Sequence, residues 1–151
     1  MYKDTPLLEL RKSKPEEATH FAEMERSNDT QEFVIPYSVG QHESLIEGDE
    51  VIYLSVYHYQ TLTGFIILAK ESEQVVEFRR IVIADKGQGL GQLAITAMEQ
   101  YCAQVLNCSK VWLDVFESNQ RGWHIYTKLG YRQFKIGEHQ GKRLIFMEKI
   151  L

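Results

Sequence analysis

Residues 82–93 of the chain read VIADKGQGLGQL, and they place Gly87, Gly89 and Gly91 at alternate positions after a short apolar segment. Apolar residues then recur at helical spacing from Leu90 to Val105, which predicts that the glycine segment opens an amphipathic helix. Glycine accepts positive φ angles and allows a ligand to approach the backbone closely. Because the first N–H groups of a helix are unpaired and lie at the positive end of its dipole, the segment is a predicted site for a phosphate or pyrophosphate group.

The glycine spacing differs from two common nucleotide-binding motifs. A Walker A loop ends in Gly-Lys-Ser or Gly-Lys-Thr, which is absent here. A dinucleotide-binding fingerprint has wider glycine spacing and an acidic residue at the end of the next strand. Taken alone, the pattern is also typical of a tight turn packed against a sheet, so the prediction of a phosphate site depends on the neighbouring segments.

Outward from this segment, hydrophobic periodicity and turn residues predict the order α, α, β, β, β, α, β, α, β, β. The predicted helices run from a Ser13 cap to a break at residues 27–30, and then over residues 39–47, 90–105 and 119–129. The predicted strands cover residues 51–59, 64–69, 74–83, 110–116, 131–136 and 143–149, with a polar turn at 137–141. The strand–helix–strand unit requires a parallel pair, whereas the hairpins are antiparallel. The predicted fold class is therefore α/β (α+β), with a mixed, mostly antiparallel central sheet flanked by helices.

The composition is that of an ordinary globular protein. The chain has 151 residues, of which 44% are hydrophobic and 25% charged, so we expect one domain over residues 1–151. A net charge of -4 argues against nucleic-acid binding, and the chain has neither an apolar run that could span a membrane nor the apolar segment of a secretory signal. Cys102 and Cys108 lack the spacing of a metal site, so we expect no metal and free thiols in the cytoplasm.

Two motifs, in order and on matching predicted elements, resemble those of the GNAT superfamily of N-acetyltransferases. The first, Gln/Arg-x-x-Gly-x-Gly/Ala, is read as Lys86-Gly87-Gln88-Gly89-Leu90-Gly91. The second, Asn-x-x-Ala-x-x-x-Tyr-x-Lys-x-Gly-Phe, spans Asn119 to Tyr131 with Gly122 in place of alanine. The resemblance covers about residues 50–150. It implies the GNAT fold, in which one parallel pair of strands splays around acetyl-CoA.

The resemblance also implies which residues hold the cofactor. The pantetheine arm is expected to pair with the backbone of the strand before the glycine segment, and the pyrophosphate is expected to lie on that segment and the helix start. A backbone N–H near Val82 is expected to hold the oxyanion, and Asn119 is expected to touch the cofactor and also to cap its own helix. The implied cofactor-binding residues are Ile81, Val82, Ile83, Lys86, Gly87, Gln88, Gly89, Leu90, Gly91, Gln92, Asn119 and Tyr126.

Two side chains are predicted to move protons. Tyr126 corresponds to the general acid of the family, which protonates the departing thiolate; alternatively, it is a core tyrosine beside Trp123. Glu77 corresponds to the general base of the histone-modifying branch of the family. A base has a role in this reaction because an ammonium group must lose a proton before its nitrogen can attack a carbonyl carbon. Alternatively, Glu77 is a solvated carboxylate paired with Arg79 or Arg80.

The predicted activity is transfer of an acetyl (acyl) group from acetyl-CoA to a primary amine, by direct attack in a ternary complex that leaves CoA as co-product. The acceptor is left open between a small-molecule amine and a protein amine. By analogy of fold, the expected acceptor contacts are Glu32, Phe33 and Tyr37. A non-catalytic acyl-CoA-binding or sensor module is the alternative function, and the oligomeric state, a homodimer included, is left open.

Overall fold

The computed structural model describes residues 8–27, 35–84 and 89–151 of the chain. The strands are β1 (Leu8–Lys12), β2 (Ile52–His58), β3 (Thr61–Lys70), β4 (Val75–Ile83), β5 (Lys110–Phe116), β6 (Arg132–His139) and β7 (Lys142–Ile150). The helices are α1 (Ala18–Glu25), α2 (Val39–Glu47), α3 (Leu90–Gln104) and α4 (Gln120–Lys128), and a 3-10 turn covers Pro15–Glu17. None of the helices within these ranges is long and apolar enough to cross a membrane.

The described strands form one mixed sheet in the order β1-β2-β3-β4-β5-β7-β6. Among the strands of residues 8–27, 35–84 and 89–151, only β4 and β5 run parallel, and α3 makes the crossover between them. Parallel neighbours require such a crossover, whereas the antiparallel pairs β2–β3, β3–β4 and β6–β7 are hairpins joined by short turns. The predicted fold class, a mixed and mostly antiparallel sheet with helices on its faces, is confirmed.

The sheet begins with a strand that the predicted order lacks. The prediction started with a helix, but Leu8–Lys12 alternates between leucine and charged residues and pairs antiparallel with β2. The alternation is five residues long on a half-buried edge strand, too short to stand out beside a helical pattern. The predicted cap is also wrong, because the Ser13 hydroxyl bonds to that of Ser55 at 2.7 Å and the 3-10 turn follows Lys14.

The last hairpin is tighter than predicted. The structure extends β6 to His139 and begins β7 at Lys142, so the turn is Gln140–Gly141 rather than residues 137–141. Both turn residues have positive φ, +51° and +79°, as two-residue hairpin loops of the I′ type require. The error arises because β6 is an exposed edge strand whose polar residues resemble those of a turn.

The two faces of the sheet are covered differently. The front face packs against α3 and α4 around a core that includes Val76, Phe78 and Leu113. On the back face, α1 and α2 cover β2, β3 and part of β4 with a second core that includes Phe21, Phe65 and Val82. Neither core contains a back-face side chain of β5, β6 or β7, so the described residues leave that part of the back face open.

A β-bulge in β4 sets which of its side chains reach the back face. The pairing of β4 with β3 shifts register so that Arg79 has no partner on β3. Phe78 and Ile81 both pack in the front-face core, although they are three positions apart. Arg79 and Arg80 therefore both lie on the back face, together with Glu77, and this stretch of β4 presents three charged side chains there.

The parallel strands separate soon after they pair. The register joins Val75–Glu77 of β4 to Lys110–Trp112 of β5, whereas the strands continue to Ile83 and Phe116. A gap therefore opens between β4 and β5 from the Glu77–Trp112 pair onward, on the side of the glycine segment. This geometry confirms the splayed parallel pair that the resemblance implied.

Candidate active site

Beyond Glu77, the edge of β4 that faces the gap carries backbone groups that β5 does not pair with. The Ala84 N–H donates to the Thr63 carbonyl of β3 at 2.7 Å. Because successive backbone groups of a strand point to opposite edges, the N–H and C=O groups of Ile83 and Ile81 point away from β3 and into the gap. The paired part of β5 ends before it reaches them. An extended ligand arm can therefore bond to Ile81 and Ile83 as an added strand would.

The start of α3, from Gly89 to Gly91, forms an open surface at the end of this gap, which we call the cradle. Gly89 is the N-cap of α3 with φ +72°, a left-handed conformation that favours glycine. A Cβ at Gly89 or Gly91 would meet no atom of the described chain within 4 Å. Gly91 lacks a positive φ, so glycine there destabilises the helix by about 1 kcal/mol relative to alanine without any packing reason. Open space over the positive end of a helix fits a bound phosphate group.

The other predicted cofactor residues divide into described and undescribed positions. Leu90 is 3% exposed, so only its backbone can reach a ligand. Gln92 is half-buried in the first turn of α3. Lys86, Gly87 and Gln88 lie outside the described residues, as do the expected acceptor contacts Glu32 and Phe33.

Tyr126 lies on α4, where it packs on the front side of β4. Its ring contacts Phe78 and Tyr131 edge-on, with centroids 6.1 and 5.8 Å away. Its hydroxyl has no hydrogen-bond partner among the residues that the structure describes. Burial raises the pKa of Tyr126 to about 12, so the phenol stays protonated at neutral pH. The same side chain is thus a packed ring and an available proton donor, so the two sequence-based interpretations are compatible.

The orientation of Tyr126 follows from the two ends of α4. The predicted Asn119 cap is confirmed, since its side chain accepts the Gly122 N–H at 3.0 Å. A Cβ at position 122 would lie 2.7–3.1 Å from the Asn119 side chain, which accounts for glycine where the family motif has alanine. At the other end, Gly130 has φ +101° and the Tyr131 N–H donates to the Tyr126 carbonyl at 2.9 Å.

Glu77 occupies the last paired position of β4 on the back face. Its Oε1 accepts hydrogen bonds from Arg79, at 2.8 Å from Nη2 and 3.3 Å from Nε. The Glu77 side chain is 20% exposed and that of Arg79 is 44% exposed. Glu77 therefore has the arginine partner of the alternative interpretation, at a place that an amine entering from the back face can still reach.

A second carboxylate in this region, Asp114, was missed at the level of sequence. It follows Trp112 by two positions on β5 and lies on the same back face, across the gap from Arg79. The pKa of Asp114 is raised, first by desolvation of its carboxyl group and next by repulsion from the Glu77 carboxylate. An aspartate inside a strand is uncommon, and that signal was available, but no motif singled it out.

A buried polar network, also missed, joins α1 and α2 to the back face of β4. Glu25, at the end of α1, accepts hydrogen bonds from the Tyr37 backbone N–H at 2.9 Å, from His42 Nε2 at 2.7 Å and from Arg80. Glu25 and His42 are fully buried. The Arg80 guanidinium lies over the Tyr37 ring, 4.2 Å from its centroid. Tyr37, the one expected acceptor contact within the described residues, is thus tied to a β4 residue next to the gap.

The ionised Glu25 carboxylate fixes one proton position in this network. A carboxylate only accepts hydrogen bonds, so Nε2 of His42 is the donor in its 2.7 Å bond to Glu25. The other ring nitrogen, Nδ1, shares a 2.7 Å hydrogen bond with the Tyr53 hydroxyl, whose pKa is raised by burial. Desolvation favours the neutral form of Glu25, but the bonds from His42, Tyr37 and Arg80 together lower its pKa, so the carboxylate is ionised beside Arg80.

No group of three or more His, Cys, Asp or Glu side chains within the described ranges is arranged to hold a metal ion. The candidate site consists of the backbone edge of β4, the open start of α3 and the side chains of Tyr126, Glu77 and Asp114. Tyr126 lies on the front, and Glu77 and Asp114 lie on the back. Such an arrangement can hold an extended phosphorylated ligand in the gap and can give or take a proton on either side of it.

Curated relatives share part of this sequence. A segment of 63 residues is 25% identical to the spermine/spermidine N(1)-acetyltransferase of Bacillus subtilis (strain 168), and it spans 42% of this chain and 41% of the relative. The probable spermine N(1)-acetyltransferase of Bacillus subtilis subsp. natto (strain BEST195) matches with the same identity and coverage. The aligned region is therefore about two fifths of the length of either relative.

Solved structures share the whole fold. The crystal structure of spermidine N-acetyltransferase from Vibrio cholerae in complex with CoA and spermine superposes with a TM-score of 0.82, at 20% identity, over 95% of both chains. The dodecameric structure of that enzyme in an intermediate state gives a TM-score of 0.78, at 20% identity, over 95% of this chain and 94% of that one. The model of the acetyltransferase (GNAT) family matches residues 9–131, which include both β4 and the Tyr126 helix. The chain belongs to the GNAT acetyltransferase family.

Proposed function

We propose that the protein transfers an acetyl group from acetyl-CoA to a primary amine. The observation that carries the proposal is the gap between β4 and β5, which opens onto the cradle at Gly89 and Gly91 and has Tyr126 on its front side. A helix start with open space above it suits the pyrophosphate, and a free strand edge suits the pantetheine arm. Membership of the GNAT family supports acetyl-CoA as the donor.

The cofactor contacts follow from this placement. Backbone groups of Ile81 and Ile83 would bond to the pantetheine amides, and the first N–H groups of α3, from Gly89 onward, would bond to the pyrophosphate. Lys86, Gly87, Gln88, Gln92 and Asn119 complete the proposed set, as the family motif implies. Bound acetyl-CoA supplies an activated thioester carbonyl. The gap-facing N–H group of Ile81, next to Val82, is the proposed donor to the oxyanion, which leaves the Ile81 carbonyl and the Ile83 backbone for the pantetheine arm.

Proton transfer is proposed to occur on both sides of the sheet. Tyr126 donates its hydroxyl proton to the departing sulfur, and its raised pKa keeps that proton in place until then. On the back face, a carboxylate accepts a proton from the acceptor ammonium group before attack. Glu77 is the carboxylate that the family resemblance implies for this role.

The acceptor is proposed to be a small aliphatic polyamine. The relatives and structural neighbours are named for acetylation of spermine and spermidine, and carboxylates on the back face suit a cationic substrate. Tyr37 and the predicted contacts Glu32 and Phe33 would form the acceptor side of the pocket. A protein amine is the second acceptor class, and a panel with spermidine, spermine and a lysine-containing peptide separates the two.

A non-catalytic acyl-CoA sensor is the alternative function, and it predicts binding without turnover. The test is release of free CoA from acetyl-CoA in the presence of the amine panel, followed with a thiol reagent. Amine-dependent release supports the transferase. Tight binding of acetyl-CoA with no release by any amine supports the sensor.

The remaining parts of the proposal concern the molecule as a whole. We propose one catalytic domain over residues 1–151, located in the cytoplasm, where the free thiols of Cys102 and Cys108 would stay reduced. We also propose that it forms a homo-oligomer, of which a homodimer is the smallest case. The dodecamer formed by the Vibrio cholerae neighbour supports self-association, and sedimentation equilibrium measures it.

A further inference from the structure

Asp114 is the first back-face residue of β5 beyond the point where the parallel strands separate. The last paired residues are Glu77 and Trp112, and Leu113 turns into the front-face core. On the other side of the gap, the bulge places Arg79 and Arg80 on the back face and leaves the backbone of Ile81 pointing into the gap. The Asp114 carboxylate therefore lies at the narrow end of the gap, on the side that α1 and α2 leave open.

The carboxylate of Asp114 is unused within the described chain. It makes no hydrogen bond and no ion pair there, whereas Glu77 is engaged by Arg79 and Glu25 by Arg80 and His42. The titratable groups that face it are Glu77 and Arg79 from β4 and His139 from β6, while its partner on β7 is Phe146. Within the described residues, Asp114 is thus held by no hydrogen bond or ion pair, whereas Glu77 and Glu25 are.

Tyr126 lies on the opposite side of the sheet from Asp114. Tyr126 packs against Phe78, whose side chain is in the front-face core, and Asp114 projects from the back face. A thioester held in the gap between them would have a proton donor on one side and a proton acceptor on the other. A proton donor and a proton acceptor both assist amine attack, because the nitrogen loses protons as the sulfur gains one.

We propose that Asp114 is the catalytic residue that accepts the proton of the acceptor ammonium group, with Glu77 as a positioning residue beside it. This inference rests on the proposed function. The ammonium group gives one proton to Asp114, the neutral nitrogen forms the C–N bond, and the C–S bond breaks as Tyr126 protonates the sulfur. The second proton leaves the nitrogen and replaces the one that Tyr126 gave, and Asp114 returns its proton to solvent.

Glu77 has a distinct effect in this arrangement. Its negative charge opposes ionisation of Asp114 and so makes the Asp114 carboxylate a stronger base. Removing that charge in Glu77→Gln should lower the pKa of Asp114, and the acid limb of kcat/KM should move to lower pH. If Glu77 were itself the base, the same variant would instead lose the limb and much of its rate.

The test compares Asp114→Asn, Asp114→Glu and Glu77→Gln with the wild type over pH 5 to 10, with acetyl-CoA and spermidine as probes. We expect Asp114→Asn to lose about 10²-fold in kcat/KM near pH 7, as for removal of a positioned base. The deficit should shrink as the pH approaches the pKa of the free amine, because neutral amine then forms without help. Asp114→Glu should keep a profile of wild-type shape, and Glu148→Gln, on the neighbouring β7, should match the wild type throughout.

Each result decides between defined outcomes. A wild-type rate in Asp114→Asn, or a deficit that is equal at every pH, overturns the role of Asp114 while the proposed function stands. A wild-type protein that releases no CoA with any amine overturns the proposed function, and the inference with it. If Asp114→Asn does not fold, judged by its melting curve and acetyl-CoA affinity, the profiles of Asp114→Glu and Glu77→Gln decide, since an acid limb lost in Glu77→Gln contradicts the proposal.

Discussion

At the scale of single residues, the two sides of the gap carry different chemistry because they have different surroundings. Tyr126 is packed between Phe78 and Tyr131, so its pKa rises and its proton is retained at neutral pH. Asp114 and Glu77 lie on the open back face, where a cationic substrate can approach them. A phenol that keeps its proton and two carboxyl groups are thus held on either side of the place where the acetyl group would lie.

Replacing Tyr126 by phenylalanine should lower kcat much more than it weakens acetyl-CoA binding. The ring and its packing remain, whereas proton donation to the leaving sulfur is lost, an effect of about 10²–10⁴-fold for a positioned acid. Because this interaction is made only in the transition state, kcat and kcat/KM should fall together. Steady-state kinetics beside calorimetric acetyl-CoA binding measures both. Tyr59→Phe, in an exposed turn, is the matched control, and a wild-type kcat in Tyr126→Phe would make Tyr126 a packing residue only.

Asp114→Asn should raise the melting temperature near neutral pH. The pKa of Asp114 is raised in the fold, so ionisation of this carboxyl group destabilises the native state. That penalty is absent below the ordinary pKa of aspartate and is fully present above the raised pKa of Asp114. The gain in melting temperature should therefore be seen at about pH 7 and vanish near pH 3, as thermal scans at the two values would show. A lower melting temperature at neutral pH would mean that the carboxylate has a stabilising partner.

At the scale of elements, the start of α3 carries Gly91 at a position where alanine would stabilise the helix more. Together with Gly89, this glycine leaves open space above the first turn of the helix. Gly91→Glu should abolish CoA binding and leave the fold intact. No atom of the described chain lies where the new Cβ would be, and an acidic side chain in the first turn favours the helix. The side chain would, however, occupy the proposed pyrophosphate position with a like charge. Calorimetry with CoA beside a melting curve tests this.

Gly91→Gln separates the two contributions, since it has nearly the same size without the charge. It should bind CoA more weakly than the wild type but more strongly than Gly91→Glu, and the difference should shrink at high salt. Unchanged CoA affinity in both variants would remove the cradle at α3 from the site.

The attachment of α1 and α2 to the sheet depends on the buried carboxylate of Glu25. Glu25→Ala should lower the free energy of unfolding by about 3–5 kcal/mol, because it leaves Arg80, His42 and the Tyr37 N–H without their acceptor. Tyr53→Phe should cost about 1–3 kcal/mol, since it leaves only the Nδ1 atom of His42 unpaired. Urea unfolding of the two variants gives both values. A loss below 1 kcal/mol in Glu25→Ala would mean that the network is open to water.

At the scale of the whole molecule, the features that could be predicted from the sequence are those that a local pattern of residues determines. The positions of β2 to β5, the apolar stripe of α3 and the Asn119 cap are each determined within one segment, and the structure has them close to their predicted positions. The two family motifs then assigned both Tyr126 and the glycine segment to the GNAT fold. The position of the cofactor gap could be predicted because the resemblance named the parallel pair that forms it.

The rest of the site depends on contacts between distant segments. Glu25, His42, Tyr53 and Arg80 come from four elements, and nothing in the spacing of these residues along the chain indicates that they meet. The bulge at Arg79 decides which charged side chains of β4 reach the back face, and a simple alternation would have placed Arg79 and Arg80 on opposite faces. Asp114 becomes notable only once the strands are seen to separate beside it.

The central claim is that this chain acetylates an amine at the gap between β4 and β5. The most direct measurement is mass spectrometry of spermidine after incubation with acetyl-CoA and the wild-type protein, with free CoA measured in the same sample. The account predicts one acetyl group on the amine for each CoA released, and loss of both in Gly91→Glu. A protein that binds acetyl-CoA, yet yields neither acetylated amine nor free CoA with any amine of the panel, would contradict it.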